Sequence, residues 1–327
     1  MPKLLFSTDA DSGTITVLDA EEVKMEPIGK IPVGNGPRGA VRFTKEGRGF
    51  VTNHAGNTVS EIDAKSLREV GRITVGIAPI GLAIVPGDRF AVVSNAGDNT
   101  VSVIDLRSRE EVTTLSVGRE PRHPDITPDG KHAFVPISGS DYVSMVDISE
   151  LLSDSPDFEA VREVKRIQTG PDTMPYSAAV SPNGRIVVAA NNQTSYVTII
   201  DAVKGVAKKE VDVGSKGARG TAYSPDSLIA YVSIEDTSEV VAIDLKKSAV
   251  ARRFDTGPGP RGLLYDALSD TIILSAFART GTKPNRVANS ATVLSVGPSP
   301  LAAKAATPKI RDVPVGAGPC SVSIYEY

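Results

Sequence analysis

Histidines are the side chains best suited to proton transfer near neutral pH, and this chain has three. His123 lies in the segment GREPRHPD, directly after Arg122 and two residues before Asp125. Residues two apart on a strand share a face, so Asp125 could orient the imidazole as a general base, with Tyr176 as acid or hydrogen-bond donor. His54 is the other candidate base. A buried His–Asp hydrogen bond that only fixes the local fold also explains the spacing.

Metal and cofactor chemistry has little support in the sequence. The single cysteine, Cys320, cannot form an intrachain disulfide or a cysteine-based zinc cluster, and histidines at distant positions do not make a zinc triad. The chain has no serine nucleophile elbow, phosphate-binding loop or dinucleotide fingerprint. We therefore predict no cofactor and no metal.

The charge balance argues against nucleic acid and membrane as partners. The 327 residues carry a formal net charge of -3. No apolar run approaches the ~18 residues needed to span a bilayer, and the N-terminal MPKLLFSTDADSG lacks the apolar core of a signal peptide. We expect a soluble cytoplasmic protein. A secreted mature form whose leader has been removed is the alternative.

An internal repeat decides the fold. A valine or threonine followed by glycine, as in ITVG at 73–76, ends one unit and recurs seven times, and a second motif, exemplified by TVSVID at 100–105, recurs in phase. Within the unit 76–117, the strand-like segments IGLAIV, RFAVVS, TVSVID and EVTTLSV alternate with turns. Four short strands at a period of about 42 residues are typical of a β-propeller blade.

These units predict an all-β fold, a seven-bladed β-propeller of four-stranded antiparallel blades in a single domain spanning 1–327. The chain ends with GPCSVSIYEY, which supplies one strand, and begins with a segment that supplies three. One blade is therefore expected to combine one C-terminal strand with three N-terminal strands. This latch blade closes the ring and leaves no open sheet edge at either end.

Three segments carry a resemblance to a known family. FVTN (50–53), VSNAGDNTVSVIDL (93–106) and SPNGRIVVAANN (181–192) resemble the YVTN-type β-propeller repeat, and the resemblance covers the whole chain. It implies the propeller fold. Similar seven-bladed propellers include surface-layer and periplasmic binding proteins, haem d1-type domains, lactonases, a streptogramin lyase and a muconate-lactonising enzyme, so the resemblance leaves the function open.

The resemblance to propeller lactonases raises the question of calcium. Such enzymes gather acidic and amide side chains from several blades around a metal. This chain carries arginines where such an enzyme would want acids, which argues against the assignment. The residues that would have formed the set are Asn53, Asn95, Asn191, Glu235 and Asp236.

A concentration of arginine is expected at one end of the ring. With strands A to D counted outward from the axis, the D-to-A and B-to-C loops share one end, here called the top face. The residue after each VGxxP loop begins an innermost strand, and we call these seven residues the mouth positions. Four are arginines, whose forked donors match carboxylate or phosphate. The mouth positions are Arg38, Ile80, Arg122, Tyr176, Arg219, Arg261 and Cys320.

The alternative is that each arginine pairs with a carboxylate of a top-face loop. The acids available are Asp9, Asp11, Asp98, Asp141, Glu235 and Asp236. Blades one and six, which begin with Arg38 and Arg261, offer no carboxylate in their own B-to-C loops. We therefore expect the positive charge to lean toward these two blades.

The B-to-C loop of blade six is longer than its counterparts and basic. It occupies residues 276–290 and contains Arg279, Lys283 and Arg286. Long loops on a rigid scaffold often serve recognition, so we predict that this loop acts as a lid over a bound anion. A tolerated surface insertion is the plain alternative.

Two functions follow from the sequence. In the first, the mouth binds a small anionic molecule, and the chain is a binding protein or a cofactor-free lyase, lactonase or isomerase whose arginines stabilise an oxyanion. In the second, the propeller is a non-catalytic scaffold that presents its top face to a protein partner. Complete neutralisation of the arginines would favour the second.

Overall fold

The strands of the computed structural model, which describes residues 3–21, 25–277, 289–297 and 309–327, form seven four-stranded antiparallel sheets. Blade one contains β4 (Pro37–Phe43), β5 (Arg48–Asn53), β6 (Thr58–Asp63) and β7 (Arg68–Thr74). Blade two contains β8 (Pro79–Ile84), β9 (Phe90–Asn95), β10 (Thr100–Asp105) and β11 (Glu110–Ser116). Blade three contains β12 (Asp125–Ile126), β13 (His132–Ile137), β14 (Tyr142–Asp147) and β15 (Arg162–Gln168). Blade four contains β16 (Pro175–Val180), β17 (Ile186–Asn191), β18 (Tyr196–Asp201) and β19 (Val206–Asp212). Blade five contains β20 (Ala218–Tyr223), β21 (Ile229–Ile234), β22 (Glu239–Asp244) and β23 (Ala249–Asp255). Blade six contains β24 (Pro260–Asp266), β25 (Thr271–Ala276), β26 (Ser290–Ser295) and β27 (Ile310–Pro314). The predicted seven-bladed propeller is confirmed.

The remaining sheet is the latch blade, also as predicted. Its strands follow the order β28 (Pro319–Glu326), β1 (Lys3–Asp9), β2 (Thr14–Asp19) and β3 (Pro27–Pro32). Strands β28 and β1 are antiparallel, and the amide of Ala10 continues the ladder by donating to the carbonyl of Gly318 at 2.9 Å. The two chain ends therefore close the ring through backbone hydrogen bonds.

The core lies between neighbouring blades and consists mainly of β-branched residues. One buried cluster joins Val188 and Val197 of blade four to Val232 and Ile234 of blade five. The outer strands alternate instead, as in β7, where only Ile73 is fully buried. This pattern is expected when strands B and C are covered on both faces and strand D is exposed on one.

The aspartates that end the third strands cap the turns that follow. Asp63 Oδ1 accepts a hydrogen bond from the amide of Ser66 at 2.6 Å, and Asp105 Oδ1 accepts one from the amide of Arg107 at 2.8 Å. Such side-chain to backbone bonds are typical of Asx turns. They fix the bottom C-to-D turns and leave the top face to the other loops.

Blade three departs from the common pattern at its innermost strand. Strand β12 has only two residues, whereas the other inner strands have six to eight. Proline has no amide to donate to a ladder, and Pro121 and Pro124 both precede β12. The segment that carries His123 is therefore irregular and is held to the neighbouring blade by a bridge to Ser177.

The insertion of blade three lies at the bottom, between β14 and β15. It forms two 3-10 helices, Ser149–Leu152 and Phe158–Ala160. The Phe158 ring meets the Phe90 ring of blade two edge-on at 5.8 Å. Among the described residues, no helix is long and apolar enough to cross a membrane.

Candidate functional site at the channel mouth

The innermost strands surround a central channel with a cavity volume of about 920 Å³, within the range of ligand sites. Tyr176, Arg219, Arg261 and Cys320, four of the mouth positions, contribute to its wall together with His123. These residues come from five different blades, because each blade adds one mouth position where its inner strand begins. Four of the seven predicted mouth positions thus line the cavity, whereas Arg38, Ile80 and Arg122 stand outside its lining.

One buried carboxylate neutralises part of the arginine ring. Glu235, whose side chain is 4% exposed, accepts hydrogen bonds from Arg219 at 2.5 Å and from Arg261 at 2.8 Å. The Arg261 guanidinium also lies 3.7 Å from the centre of the Phe277 ring. A single negative charge shared by two guanidinium groups leaves one positive charge over. Arg261 therefore has an acidic partner although the loop of its own blade offers none, because Glu235 reaches it from the loop of blade five.

The other two mouth arginines have weaker compensation. Arg122 pairs with Glu120 at 3.1 Å, but the Glu120 side chain is 51% exposed, so water screens the pair. The Arg122 Nε is buried and has no hydrogen-bond partner among the described residues. Within the same part of the chain, no hydrogen bond or ion pair is formed by the Arg38 guanidinium. Among the described residues, the mouth arginines without a buried acidic partner therefore lie on the side of blades one to three.

Three other top-face aspartates accept hydrogen bonds from backbone amides of the loops. Asp98 accepts from the amide of Ile77 at 2.9 Å, and Asp141 accepts from the amide of Met174 at 3.0 Å. Asp9 accepts from the amide of Gly316, at 3.2 Å, in the latch blade. Neutralisation of the arginines by these carboxylates, which the sequence left open, is therefore not what the structure shows.

Tyr176 is the aromatic element of the mouth. Its ring lies 5.0 Å from the Arg122 guanidinium carbon and 4.3 Å from that of Arg219, so it contacts cations from both neighbouring blades. The His123 ring lies 5.2 Å away at an angle of 47°. Among described residues its hydroxyl has no hydrogen-bond partner. The predicted role of Tyr176 as acid or donor stays a prediction, and the contacts seen are those of a platform for guanidinium groups.

His123 fits into space that two glycines leave free. A Cβ on Gly81 would lie 2.7 Å from His123 Nδ1, and a Cβ on Gly39 would lie 3.6 Å from the same atom. Burial lowers the pKa of His123 to about 3, and the nearby guanidinium groups of Arg122 and Arg42 act in the same direction. The imidazole is therefore neutral at neutral pH and a weak base.

The hydrogen bond expected between Asp125 and His123 is not formed in the described structure. Asp125 Oδ2 accepts from the amide of Val180 at 2.9 Å, and Oδ1 accepts from the amide of Ile126 at 3.0 Å. The regular alternation that would put the two side chains on one face begins only at Asp125, where β12 starts. Burial raises the pKa of Asp125. The carboxylate thus joins blade three to blade four, and a catalytic role for either residue stays a prediction.

His54 lies in the B-to-C loop of blade one and is half-buried. Its Nδ1 is buried without a hydrogen-bond partner among the described residues. Burial lowers the pKa of His54, and the charges of Arg38 and then Arg122 add to the effect. The positive charges of Arg38 and Arg122, neither of which has a buried acidic partner, therefore disfavour the protonated form of His54. Its role as a base is untested, as is its role beside a bound anion.

The asparagines weighed as calcium ligands donate their amide groups within their own blades, while the Oδ1 atoms of Asn53, Asn95 and Asn191 are buried without a hydrogen-bond partner among the described residues. Asn53 Nδ2 donates to Ser60 Oγ at 2.7 Å, and Asn95 Nδ2 donates to Ser102 Oγ at 2.7 Å. Within the described ranges, no group of three or more histidine, cysteine, aspartate or glutamate side chains could hold a metal ion.

Three of the predicted ligand-binding residues, Arg279, Lys283 and Arg286, lie outside the described residues, as does most of the 276–290 loop. One channel residue was missed by the sequence reasoning. Arg42 is exposed within the wall of the channel, in blade one. In blade one the pairing register differs, because Arg42 stands opposite Phe50 where Ala83 stands opposite Val92 in blade two, and the sequence spacing of the repeats gives no signal of this shift.

Comparison with known proteins agrees with the fold. The model of the YNCE-like beta-propeller family matches residues 93–290. Comparison with curated proteins gives no match. A hydrazine synthase structure from Kuenenia stuttgartiensis is 22% identical, with a TM-score of 0.73 over 88% of this chain and 90% of that one. A Lactobacillus plantarum protein is 16% identical, with a TM-score of 0.81 over 100% of both chains. A functionally unknown protein from Desulfotomaculum acetoxidans is 14% identical, with a TM-score of 0.77 over 98% of both. At these identities the structures share a fold.

Proposed function

The chain belongs to the YNCE-like β-propeller family, and on that premise we propose that it is a binding protein for a small anionic molecule, a carboxylate or a phosphate, held at the channel mouth. The observation that carries the proposal is the uneven pairing of the mouth arginines. Glu235 binds two of them, whereas Arg38 has no acidic partner in the described structure and Arg122 has only an exposed one.

A concave site with surplus guanidinium charge favours an anion for two reasons. The surrounding protein excludes much of the water, so each charge-assisted hydrogen bond contributes more than it would on an open surface. The fork of an arginine also matches the two oxygens of a carboxylate or phosphate. The buried Nε of Arg122 supplies a donor that lacks a partner and that an anion would satisfy.

Binding is the function proposed, and turnover is not required for it. His123 is held neutral beside the guanidinium groups, and Asp125 does not orient the imidazole because its carboxylate accepts a hydrogen bond from the amide of Val180 instead. In the bound state the imidazole would donate or accept one hydrogen bond, and the Tyr176 ring would keep Arg122 and Arg219 directed at the channel. The roles of Arg219 and Arg261 would be to hold the field positive on the far side of the mouth.

Thermal unfolding in the presence of small anions tests the proposal. Phosphate, sulfate, acetate, succinate and citrate are added at constant ionic strength, so that screening does not change. A ligand at about 100 times its Kd stabilises the native state by roughly 2.7 kcal/mol, which corresponds to a Tm increase of several degrees. We expect at least one of these anions to produce such a shift in the wild type.

The matched variants are Arg38→Gln at the mouth and Arg68→Gln on the exposed strand β7. The first should lose most of the anion-induced shift, and the second should keep it. If no anion raises Tm, or if both variants respond like the wild type, the proposal fails and a protein partner on the top face becomes the better reading.

A further inference from the structure

Strand β4 of blade one contains an irregularity that changes what faces the channel. Arg38 is opposite Thr52 and Arg42 is opposite Phe50, so four steps along β4 match only two along β5. The buried residue within this stretch is Val41, which packs in the core beneath blade one. This shift in register therefore turns Arg42 toward the channel, where it is exposed in the wall.

At the level of Arg42 the channel wall is otherwise almost without positive charge. In the other blades this level is the third residue after the mouth position. These residues are mostly small or apolar, and all of them line the cavity. They are Ala83, Asp125, Ala179, Ala222, Leu264 and Ser323.

The Arg42 guanidinium is unpaired within the described part of the chain. No hydrogen bond or ion pair connects it to another residue, and Asp125, at the same level, is not within ion-pair distance. Both oxygens of Asp125 already accept backbone amides, and burial raises the pKa of Asp125. The charge of Arg42 acts on the pKa of Asp125 in the opposite direction to burial, but no ion pair joins the two, so Arg42 can bind an anion without first breaking a contact.

Arg42 lies below Arg38 on the same strand. The two arginines stand opposite Thr52 and Phe50, which are two residues apart on β5, so their backbone positions are separated by about 7 Å along the strand, and the flexible side chains can change the distance between the charges. Between the two arginines the wall includes Ala40 and the neutral His123 ring. A short apolar chain fits against this surface better than a charged one does.

We propose that Arg42 forms a second anion subsite inside the channel and that the ligand of the mouth is an elongated dianion, of the α,ω-dicarboxylate type. One carboxylate binds at the mouth, the methylene chain follows β4 past His123, and the second carboxylate binds Arg42. This inference rests on the proposed function, because it needs a mouth that binds a carboxylate.

Titration calorimetry with a length series tests the inference. The dicarboxylates run from succinate to suberate, and each is compared with the straight-chain monocarboxylate of the same length. Two linked contacts bind more tightly than one, and only when the linker spans both sites. We expect one dicarboxylate length to bind at least 10-fold more tightly than its monocarboxylate, with weaker binding at shorter and longer lengths.

The variant Arg42→Gln should abolish that preference while leaving in place the part of acetate binding that depends on Arg38. Arg42→Lys should keep part of it, because the charge remains without the fork, and Arg68→Gln should keep all of it. Tm in the absence of ligand reports folding, and the exposed position of Arg42 predicts that all three variants fold like the wild type.

Three results would overturn the inference. Equal affinity of mono- and dicarboxylates at every length would show that the channel has no second carboxylate subsite. A preference that survives Arg42→Gln would assign it to another residue. Tighter binding of an ω-amino acid than of the dicarboxylate would assign the second contact to Asp125. Acetate binding that depends on Arg38, seen together with any of these, would leave the mouth site standing; absence of all binding would overturn both.

Discussion

The imidazole of His123 occupies the space that a side chain at Gly81 would need. A Cβ on Gly81 would lie 2.7 Å from His123 Nδ1 and 3.1 Å from His123 Cα. The substitution Gly81→Ala therefore forces the ring or the strand to move, and overpacking of this kind costs about 1–3 kcal/mol. We expect the free energy of unfolding, measured with urea, to fall by that amount.

The variant His123→Gly provides the control for this prediction. Glycine is the residue that follows the mouth arginine in blades one, five and six, so the backbone there accepts it. In the His123→Gly background, Gly81→Ala should cost less, because the closer of the two contacts has gone. An equal cost in both backgrounds would show that the contact with the ring is unimportant.

Because burial lowers the pKa of His123 to about 3, the stability of the protein should depend on pH. The unfolded chain takes up a proton on this residue below about pH 6.5, whereas the native chain does not until near pH 3. The stability that the neutral ring contributes is therefore present above pH 6.5 and is lost as the pH falls toward 3. The stability of wild type should fall more steeply on acidification than that of His123→Gly. Imidazole NMR shifts that stay constant from pH 8 to 4.5 would support the cause, and a midpoint near 6.5 would contradict it.

Removal of the shared carboxylate should separate stability from anion affinity. In Glu235→Gln, Arg219 and Arg261 lose a partner that is 4% exposed, and breaking such a buried pair typically costs about 3–5 kcal/mol. Added sulfate should restore more stability to this variant than to wild type, because the mouth becomes more positive. Glu120→Gln, at the exposed partner of Arg122, should cost at most about 1 kcal/mol. Similar losses in the two variants would contradict the assignment.

The latch blade contains a carboxylate where blades one, two and four have an asparagine side chain. Asp9 ends the second strand of its blade, as Asn53 does in blade one, and burial raises the pKa of Asp9. Because the native chain then binds the proton before the unfolded chain does, wild type gains stability as the pH falls through that raised value. We expect Asp9→Asn to be more stable than wild type at pH 7, by roughly 1 kcal/mol, and to lose this advantage on acidification. A destabilised Asp9→Asn at pH 7 would show that the charge itself holds Gly316.

The blades could be predicted because each is built from one repeat unit, and the latch could be predicted because the two chain ends together supply the strands of one further unit. The strand periods, the turn aspartates and the phase of the VGxxP loops are local, and local rules fix them. The inner strand of blade three is short because Pro121 and Pro124 lack the backbone amides that a strand of six residues would need for its ladder.

The partners of the mouth side chains could not be predicted, because they depend on contacts between blades. Glu235 reaches Arg261 from the preceding blade, and Asp125 binds Val180 of the following one. The sequence spacing of His123 and Asp125 suggested a pair, but the irregular strand removed the alternation on which that inference rested. Arg42 was overlooked because the register shift in β4 changed which side chain faces the channel.

The central claim is that the channel mouth binds a small anion, and a crystal soaked with selenate tests it most directly. Anomalous scattering locates the selenium without reference to any assumed site. The account predicts a selenium peak at the mouth, within hydrogen-bond distance of the Arg38 and Arg122 guanidinium groups, and its absence from crystals of Arg38→Gln soaked in the same way. Selenate ordered only elsewhere on the protein, or a mouth that stays free of it in wild type, would contradict the claim.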